Sequence, residues 1–179
     1  MDKLINIQEK NYQVLQSYPD VNISDSFVMK SNKIMTGNGE AKLYVGGDNL
    51  ELRNFFGSNP FTIDCFMLQK DWKQYMLNAR DEYQNPTQEY LKKETFESLY
   101  IHRQTKVNLL PDKMNFVLIE QKITPPRVYV KSISPYYSLI REVCLPNFSY
   151  LEFKKLMHDG SIYYYIKPIF EKNNNRLIF

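Results

Sequence analysis

The segment from Lys30 to Val45 combines residue types that proteins use to contact DNA. It reads Lys-Ser-Asn-Lys-Ile-Met-Thr-Gly-Asn-Gly-Glu-Ala-Lys-Leu-Tyr-Val, a polar turn that leads into an apolar strand. Amide and hydroxyl groups can hydrogen-bond to base edges, and ammonium groups can contact phosphates. Gly37 and Gly39 allow a ligand to approach the backbone closely. The segment therefore predicts a DNA-contacting loop, with a solvated hairpin as the alternative.

A second polar group follows the apolar residues Leu99 to Ile101. It consists of His102, Arg103, Gln104 and Lys106. The residues from Ser98 to Arg103 are expected to form a strand, which would aim Arg103 from its end. Because a guanidinium fork matches guanine O6 and N7, Arg103 is the preferred base reader. The alternative is an ordinary surface residue of a strand.

Two carboxylates and a lysine offer a competing chemistry. Asp112 follows Pro111, and Glu120 and Lys122 share one face of an expected strand. This pattern resembles the PD-(D/E)xK nucleases, in which two carboxylates bind Mg²⁺ and the lysine helps to activate water. Only seven residues lie between Asp112 and Glu120, which leaves little room for the usual strand, turn and strand. We therefore expect this chain to bind without catalysis, metal or cofactor.

The elements that must position these residues are mainly strands. Fourteen Tyr and eleven Phe favour strands, because aromatic side chains fit a pleated surface. Alternation and turn residues predict seven strands: 25–32, 41–45, 60–68, 98–103, 115–122, 127–133 and 162–170. Residues 3–17 are compatible with a helix or an extended arm.

Two longer helices and one short one are expected beside these strands. Apolar residues at helical spacing predict the first helix. Asp71 is expected to cap it, and Pro86 prevents its continuation. The apolar residues are Trp72, Tyr75, Met76, Ala79 and Tyr83. Ser149 and Glu152 form a capping-box pattern that predicts a second helix from Ser149 to His158, ended by Gly160. Phe55 and Phe56 fit a short helix.

The whole chain has the composition of one globular domain spanning residues 1–179. Hydrophobic residues make up 43% and charged residues 24%, and the formal net charge is +3. This charge permits DNA binding without requiring it. No signal peptide or membrane span is evident, and Cys65 and Cys144 are expected to be buried free thiols, so a cytoplasmic location is predicted. Tyr163, Tyr164 and Tyr165 are expected to pack in the core rather than to stack on bases.

Parts of the chain resemble the EcoRII-type DNA-recognition pseudobarrel of restriction endonucleases. The matching residues are Thr36-Gly37, Glu40-Ala41 and Leu43-Tyr44-Val45, followed by Leu99 to Arg103, Leu109 to Asp112 and Phe116 to Ile119. The resemblance implies two arms that grip one major groove. The first would contain Lys30, Ser31, Asn32, Lys33, Thr36, Asn38, Glu40 and Lys42, and the second His102, Arg103, Gln104 and Lys106.

The sequence departs from that family at positions that would read bases. Asn32-Lys33-Ile34 replaces Asp-Thr-Gly, Gly39 replaces a histidine, Glu40 replaces a glutamine and Gly46 replaces a proline. A carboxylate at Glu40 can accept from cytosine N4 but cannot make the bidentate adenine contact of glutamine.

The expected fold is α+β and β-dominated, a seven-stranded open pseudobarrel with two or three short helices at its ends. The expected function is recognition of double-stranded DNA for a restriction enzyme whose catalytic or motor part lies elsewhere, on the same or another chain. A small Mg²⁺-dependent nuclease and a protein-binding module are the alternatives.

Overall fold

One mixed β-sheet forms the frame of the protein. The computed structural model describes residues 3–22, 42–47, 54–56, 62–111, 115–124, 127–132, 140, 142–145 and 148–171. Within these residues the strands are β1 Leu4–Ile7, β2 Lys10–Asn22, β3 Lys42–Gly47, β4 Thr62–Met67, β5 Asn115–Thr124, β6 Arg127–Ser132, β7 Ser149–His158 and β8 Ser161–Phe170. Their order across the sheet is β1-β2-β7-β8-β4-β5-β6-β3. β4 and β8 are parallel, and every other neighbouring pair is antiparallel.

The helices lie mainly between β4 and β5 in the chain. They are α1 Gln69–Gln84, α2 Glu89–Lys92 and α3 His102–Asn108, which continues a π-helical turn at Glu97–Ile101. Residues 54–56 are also helical. The protein is therefore α+β and β-rich, as expected, but the described residues form eight strands rather than seven. The long helix α1 packs against β8 rather than at an end of the sheet.

The sheet curls strongly around one of its faces. Tyr12 on β2 and Phe66 on β4 have ring centroids 5.3 Å apart, although β7 and β8 lie between these strands. In a flat sheet, three strand spacings would separate them by about 14 Å. Register shifts in β2, at Val14/Gln16 and Tyr18/Val21, are irregularities of the kind that bend a strand. The face that carries Tyr12 and Phe66 is consequently concave.

Both faces of the curled sheet carry buried side chains. On one face a helix-side core joins Cys65, Met67 and Tyr164 of the sheet to Trp72 of α1 and Val107 of α3. On the other face a concave-side core contains a smaller set, comprising Ile7, Tyr12, Phe66, Leu68, Leu156 and Tyr165. Because alternate residues of a strand face opposite sides, neighbouring tyrosines of β8 enter different cores. The prediction that Tyr163, Tyr164 and Tyr165 pack inside is confirmed, with Tyr163 only half-buried.

The prediction of a helix from Ser149 to His158 is wrong, because these residues form β7. Hydrogen-bonded neighbours on both sides, β2 and β8, fix β7 as an inner strand. Its residues Leu151, Glu152, Phe153 and Lys154 alternate between apolar and charged, which is the period of a strand. Gly160 does not end a helix. It completes a two-residue hairpin loop, in which Asp159 and Gly160 have φ values of 49° and 78°.

The prediction of a strand at 98–103 is also wrong, since residues 97–108 are helical. Tyr100 of this segment is buried against α1. Its hydroxyl donates to the carbonyl of Met76 on α1, and its ring stacks on Phe96. Packing against α1 thus overrides the strand preference of the local sequence. The expected strands at 60–68, 115–122, 127–133 and 162–170 are confirmed by β4, β5, β6 and β8. Lys42–Gly47 confirms the strand at 41–45, and the strand expected at 25–32 lies outside the described residues.

Helix α1 confirms the predicted buried face. Trp72, Tyr75, Met76, Ala79 and Tyr83 are all buried, and the helix ends at Gln84, two residues before Pro86. Asp71 is not the N-cap, which is Leu68. Instead Asp71 lies in the first turn and accepts a hydrogen bond from the hydroxyl of Tyr165.

The remaining expectations concern the N-terminus, the thiols and the membrane. The residues at 3–17 form strands, and β1 and β2 are joined through Gln8 and Glu9, whose φ values are 51° and 67°. Cys65 and Cys144 are buried and are not disulfide-bonded, as predicted. No helix in the described part of the chain is long and apolar enough to cross a membrane.

Candidate nucleic-acid interface

Three adjacent strands, β3, β6 and β5, bring basic residues to one face of the sheet. Their pairing places residues in three rows that run across the strands. The rows are Lys42–Lys131–Glu120, Tyr44–Tyr129–Lys122 and Gly47–Arg127–Thr124. Four of these positions are cationic and one is acidic. We call the positions Lys42, Tyr44, Lys122, Arg127, Tyr129 and Lys131 the basic face.

The opposite face of the same strands is mainly apolar, with Gln121 on β5 and Ser132 on β6 as polar positions. It carries Leu43 on β3, Val128 and Val130 on β6, and Ile119 and Ile123 on β5. Through the pairing of Ile119 with Ile63, and the alternation along β4, it is continuous with Cys65 and Met67 of the helix-side core. An antiparallel sheet with one apolar and one polar face commonly packs the first on the core and turns the second to water. The basic face belongs to the concave side, since Thr62 pairs with Glu120 and alternates with Phe66.

The pair of lysines in the first row is unfavourable for folding by itself. Lys42 and Lys131 are direct partners on neighbouring antiparallel strands. Like charges placed directly opposite one another destabilise a sheet, by about 0.2–1 kcal/mol on the scale of cross-strand pairs. Glu120 pairs with Lys131 from the other side and offsets part of this repulsion. A bound anion at this row would offset more, so the arrangement is suited to a polyanionic ligand.

The structure brings two of the three proposed nuclease residues to this face. Glu120 and Lys122 are two residues apart on β5 and so share a face, as predicted. Asp112 lies outside the described residues. In the described part of the chain, no group of three or more His, Cys, Asp or Glu side chains is placed to hold a metal ion.

The residues of the second expected arm lie on α3, which packs on the other side of the sheet. Val107 of this helix belongs to the helix-side core together with Cys65, whereas the basic face lies on the concave side. His102 is exposed, and Gln104 is half-buried. Lys106 forms an ion pair with Glu142. The structure therefore does not bring this segment to the same face as Lys42.

Arg103, the expected base reader, is engaged with the protein's own aromatic residues. Its Nη1 donates to the hydroxyl of Tyr83 at 2.7 Å, and the guanidinium lies 5.3 Å from the centre of that ring. Burial raises the pKa of Tyr83, and the charge of Arg103 opposes the rise. Burial also raises the pKa of the Cys144 thiol, again against the effect of Arg103. Through these contacts Arg103 joins α3 to α1.

Seven of the eight residues of the first expected arm lie outside the described residues. They are Lys30, Ser31, Asn32, Lys33, Thr36, Asn38 and Glu40. The eighth, Lys42, is the first residue of β3 and takes part in the lysine row.

A polar cluster of buried and half-buried side chains borders the concave-side core where β8 meets α1. The Tyr165 hydroxyl donates to Asp71. On the neighbouring strand β7, Lys154 forms an ion pair with Glu152, two residues away on the same strand. Burial raises the pKa of Asp71, while the hydrogen bond from Tyr165 and the charge of Lys167 lower it. Sequence reasoning missed this cluster because it assigned Asp71 to a helix cap.

Four residues of the basic face were also missed from the sequence. The pairing of β3 with β6 brings these residues together, because it joins positions 80–89 residues apart in the chain. They are Tyr44, Arg127, Tyr129 and Lys131. The local signal was present in β6, where Arg127, Tyr129 and Lys131 alternate with valines. Such alternation predicts one polar and one apolar face.

Comparison of the chain with protein-family models, with curated proteins and with solved structures found no match.

Proposed function

We propose that this chain binds double-stranded DNA and that the basic face of β3, β6 and β5 holds the phosphate backbone. The observation that carries the proposal is the lysine row, in which Lys42 and Lys131 are direct cross-strand partners. Lys122 and Arg127 occupy the two neighbouring rows on the same face. Phosphate contacts of this type supply most of the affinity of a protein for DNA irrespective of sequence.

Sequence recognition would come from the chain that leads directly into β3. Lys30 to Glu40 contains amide, hydroxyl and ammonium groups that suit base edges and phosphates. This segment directly precedes β3 in the sequence, and Lys42 is the first residue of β3. The resemblance of the residues from Thr36 to Val45 to the first arm of the EcoRII-type pseudobarrel supports the same assignment. In this proposal the chain is the recognition module of a restriction system, and cleavage belongs to another domain or chain.

The proposal is tested by measuring the affinity of the chain for a randomised duplex pool over a range of salt concentrations. Lys131→Ala removes one cation from the lysine row and should lower affinity for all sequences. If Lys131 neutralises one phosphate, the slope of log affinity against log salt should become shallower by about 0.9. Lys73 is exposed on α1, on the helix side of the sheet, so Lys73→Ala is the matched control and should leave the slope unchanged.

The same preparation distinguishes a binding module from a nuclease. Plasmid DNA incubated with the chain and Mg²⁺ should remain intact. Cleavage that disappears in Glu120→Ala would replace the binding module with the nuclease. Equal slopes for Lys131→Ala and the unmutated chain would remove the basic face from the interface.

A further inference from the structure

The middle row of the basic face carries two tyrosines at directly paired positions. Tyr44 on β3 is the cross-strand partner of Tyr129 on β6, and Lys122 on β5 completes the row. The lysine row lies on one side of this pair and Arg127 on the other. Neighbouring rows on one face are two residues apart, or about 7 Å along the strands. Basic residues therefore occupy the register positions on both sides of the tyrosine pair.

Phosphate binding alone does not explain aromatic residues at these positions. An aromatic ring adds little to the attraction of a phosphate, whereas it can stack on the flat face of a base. In an intact duplex the base faces are covered by their neighbours in the stack. They become accessible to a protein where the bases are unpaired, and aromatic residues in a sheet surface bind single-stranded nucleic acid in this way.

We propose that Tyr44 and Tyr129 stack on unpaired bases, so that the basic face binds DNA containing a single-stranded stretch more tightly than fully paired DNA. The inference rests on the proposed function, because it requires that the basic face holds DNA. Lys42, Lys131 and Arg127 then hold the phosphates on both sides of the stacked bases. Stacking depends little on base identity, since every base has such a face. This contact therefore selects the form of the DNA, while any sequence preference arises elsewhere.

The test compares three fluorescent ligands that share one sequence: a full duplex, the same duplex with a central single-stranded gap, and the single strand. The unmutated chain should bind the gapped duplex more tightly than the full duplex. Tyr129→Leu removes the ring but keeps an apolar residue in the strand. It should weaken binding to the gapped duplex and the single strand by at least about fivefold, with little effect on the full duplex.

Two further variants separate stacking from folding. Tyr129→Phe keeps the ring and should retain the preference for the gapped duplex. Tyr44→Leu changes the edge-strand partner and should reproduce the loss seen with Tyr129→Leu. Thermal unfolding of each variant identifies any protein that fails to fold, and the other tyrosine then provides the test.

The outcomes distinguish this inference from the proposed function. Duplex binding that depends on Lys131, together with equal affinity for gapped and full duplex, would refute stacking and leave the proposed function standing. A preference for the gapped duplex that both leucine variants retain would also refute it. Absence of binding to any of the three ligands at low salt would overturn the proposed function and this inference together.

Discussion

Replacing Tyr75 by Phe and Ser149 by Ala, singly and together, should show that three buried hydrogen bonds act as one unit. The Leu145 amide donates to the Tyr75 hydroxyl at 2.7 Å. The Ser149 hydroxyl donates to the Leu145 carbonyl, and Tyr75 and Ser149 are joined by a hydrogen bond between their hydroxyls. Since the Ser149 proton is used on Leu145, the Tyr75 hydroxyl must donate to Ser149 Oγ. The three residues are 0–1% exposed, so water cannot readily replace a lost partner.

Each single substitution removes a partner from two buried groups. Tyr75→Phe takes the acceptor from the Leu145 amide and the donor from Ser149, and Ser149→Ala takes a donor from the Leu145 carbonyl and an acceptor from Tyr75. Leaving a buried polar group without its partner costs about 1–3 kcal/mol. Because the bond between Tyr75 and Ser149 is lost in either case, the double variant should cost less than the sum of the singles. The difference should be of the order of 1 kcal/mol.

Chemical denaturation of the four proteins measures this coupling. Under the capping-box interpretation, Ser149 would instead be coupled to Glu152, because that pattern joins the first and fourth residues of the segment. A second cycle that combines Ser149→Ala with Glu152→Ala is therefore the control and should be additive. Additive effects of Tyr75→Phe and Ser149→Ala, within about 0.3–0.5 kcal/mol, would refute the hydrogen-bonded unit.

Substitutions at three other positions test the fold. Burial raises the pKa of Asp71 above its usual 3.8, so ionisation of this carboxyl costs the folded state, and its contribution to stability is lost as pH rises through the folded pKa. The free energy of unfolding of Asp71→Asn, relative to that of the unmutated chain, should therefore increase as pH rises above 3.8. A difference in unfolding free energy that does not depend on pH would contradict this. Gly160 has a φ of +78° and no atom near an added Cβ. Gly160→Ala should therefore lower the unfolding free energy by about 1–2 kcal/mol through backbone strain, and Gly160→Asn should lower it less. Equal denaturation midpoints for both variants would argue against the strained turn. Gln69 is buried and donates to the carbonyl of Leu110 just after α3, so Gln69→Leu should lower the unfolding free energy by about 1–3 kcal/mol. The exposed Gln74→Leu is its control, and a similar change in both would exclude this role.

Elements with a clean period were predictable from the sequence, whereas elements decided by distant partners were not. The helical spacing from Trp72 to Tyr83 and the alternation of β6 are local signals, and the structure contains both elements. β7 was missed because its Ser149-to-Glu152 spacing also matches a helix start. The Asp159-Gly160 dipeptide, which favours a two-residue hairpin, was the stronger signal.

The candidate site was predictable only in part, for the same reason. Lys42 was selected from its polar turn, and Glu120 and Lys122 from their spacing on one strand. The partners Tyr129 and Lys131 could not be assigned to Lys42 without the register of β3 on β6. Arg103 was chosen because its local sequence favours a strand. The packing of Tyr100 against α1 places it on a helix instead.

The most direct test of DNA binding by the basic face is the affinity of Lys42→Glu for duplex DNA at low salt. This substitution replaces the like-charged Lys42–Lys131 pair with an opposite-charged one, so the folded state should be equally stable or slightly more stable. Reversal of a charge at a phosphate contact should nevertheless weaken binding strongly and make its salt dependence shallower. A stable Lys42→Glu protein with much weaker duplex binding is the predicted result. A stable variant that binds as tightly as the unmutated chain would contradict the account.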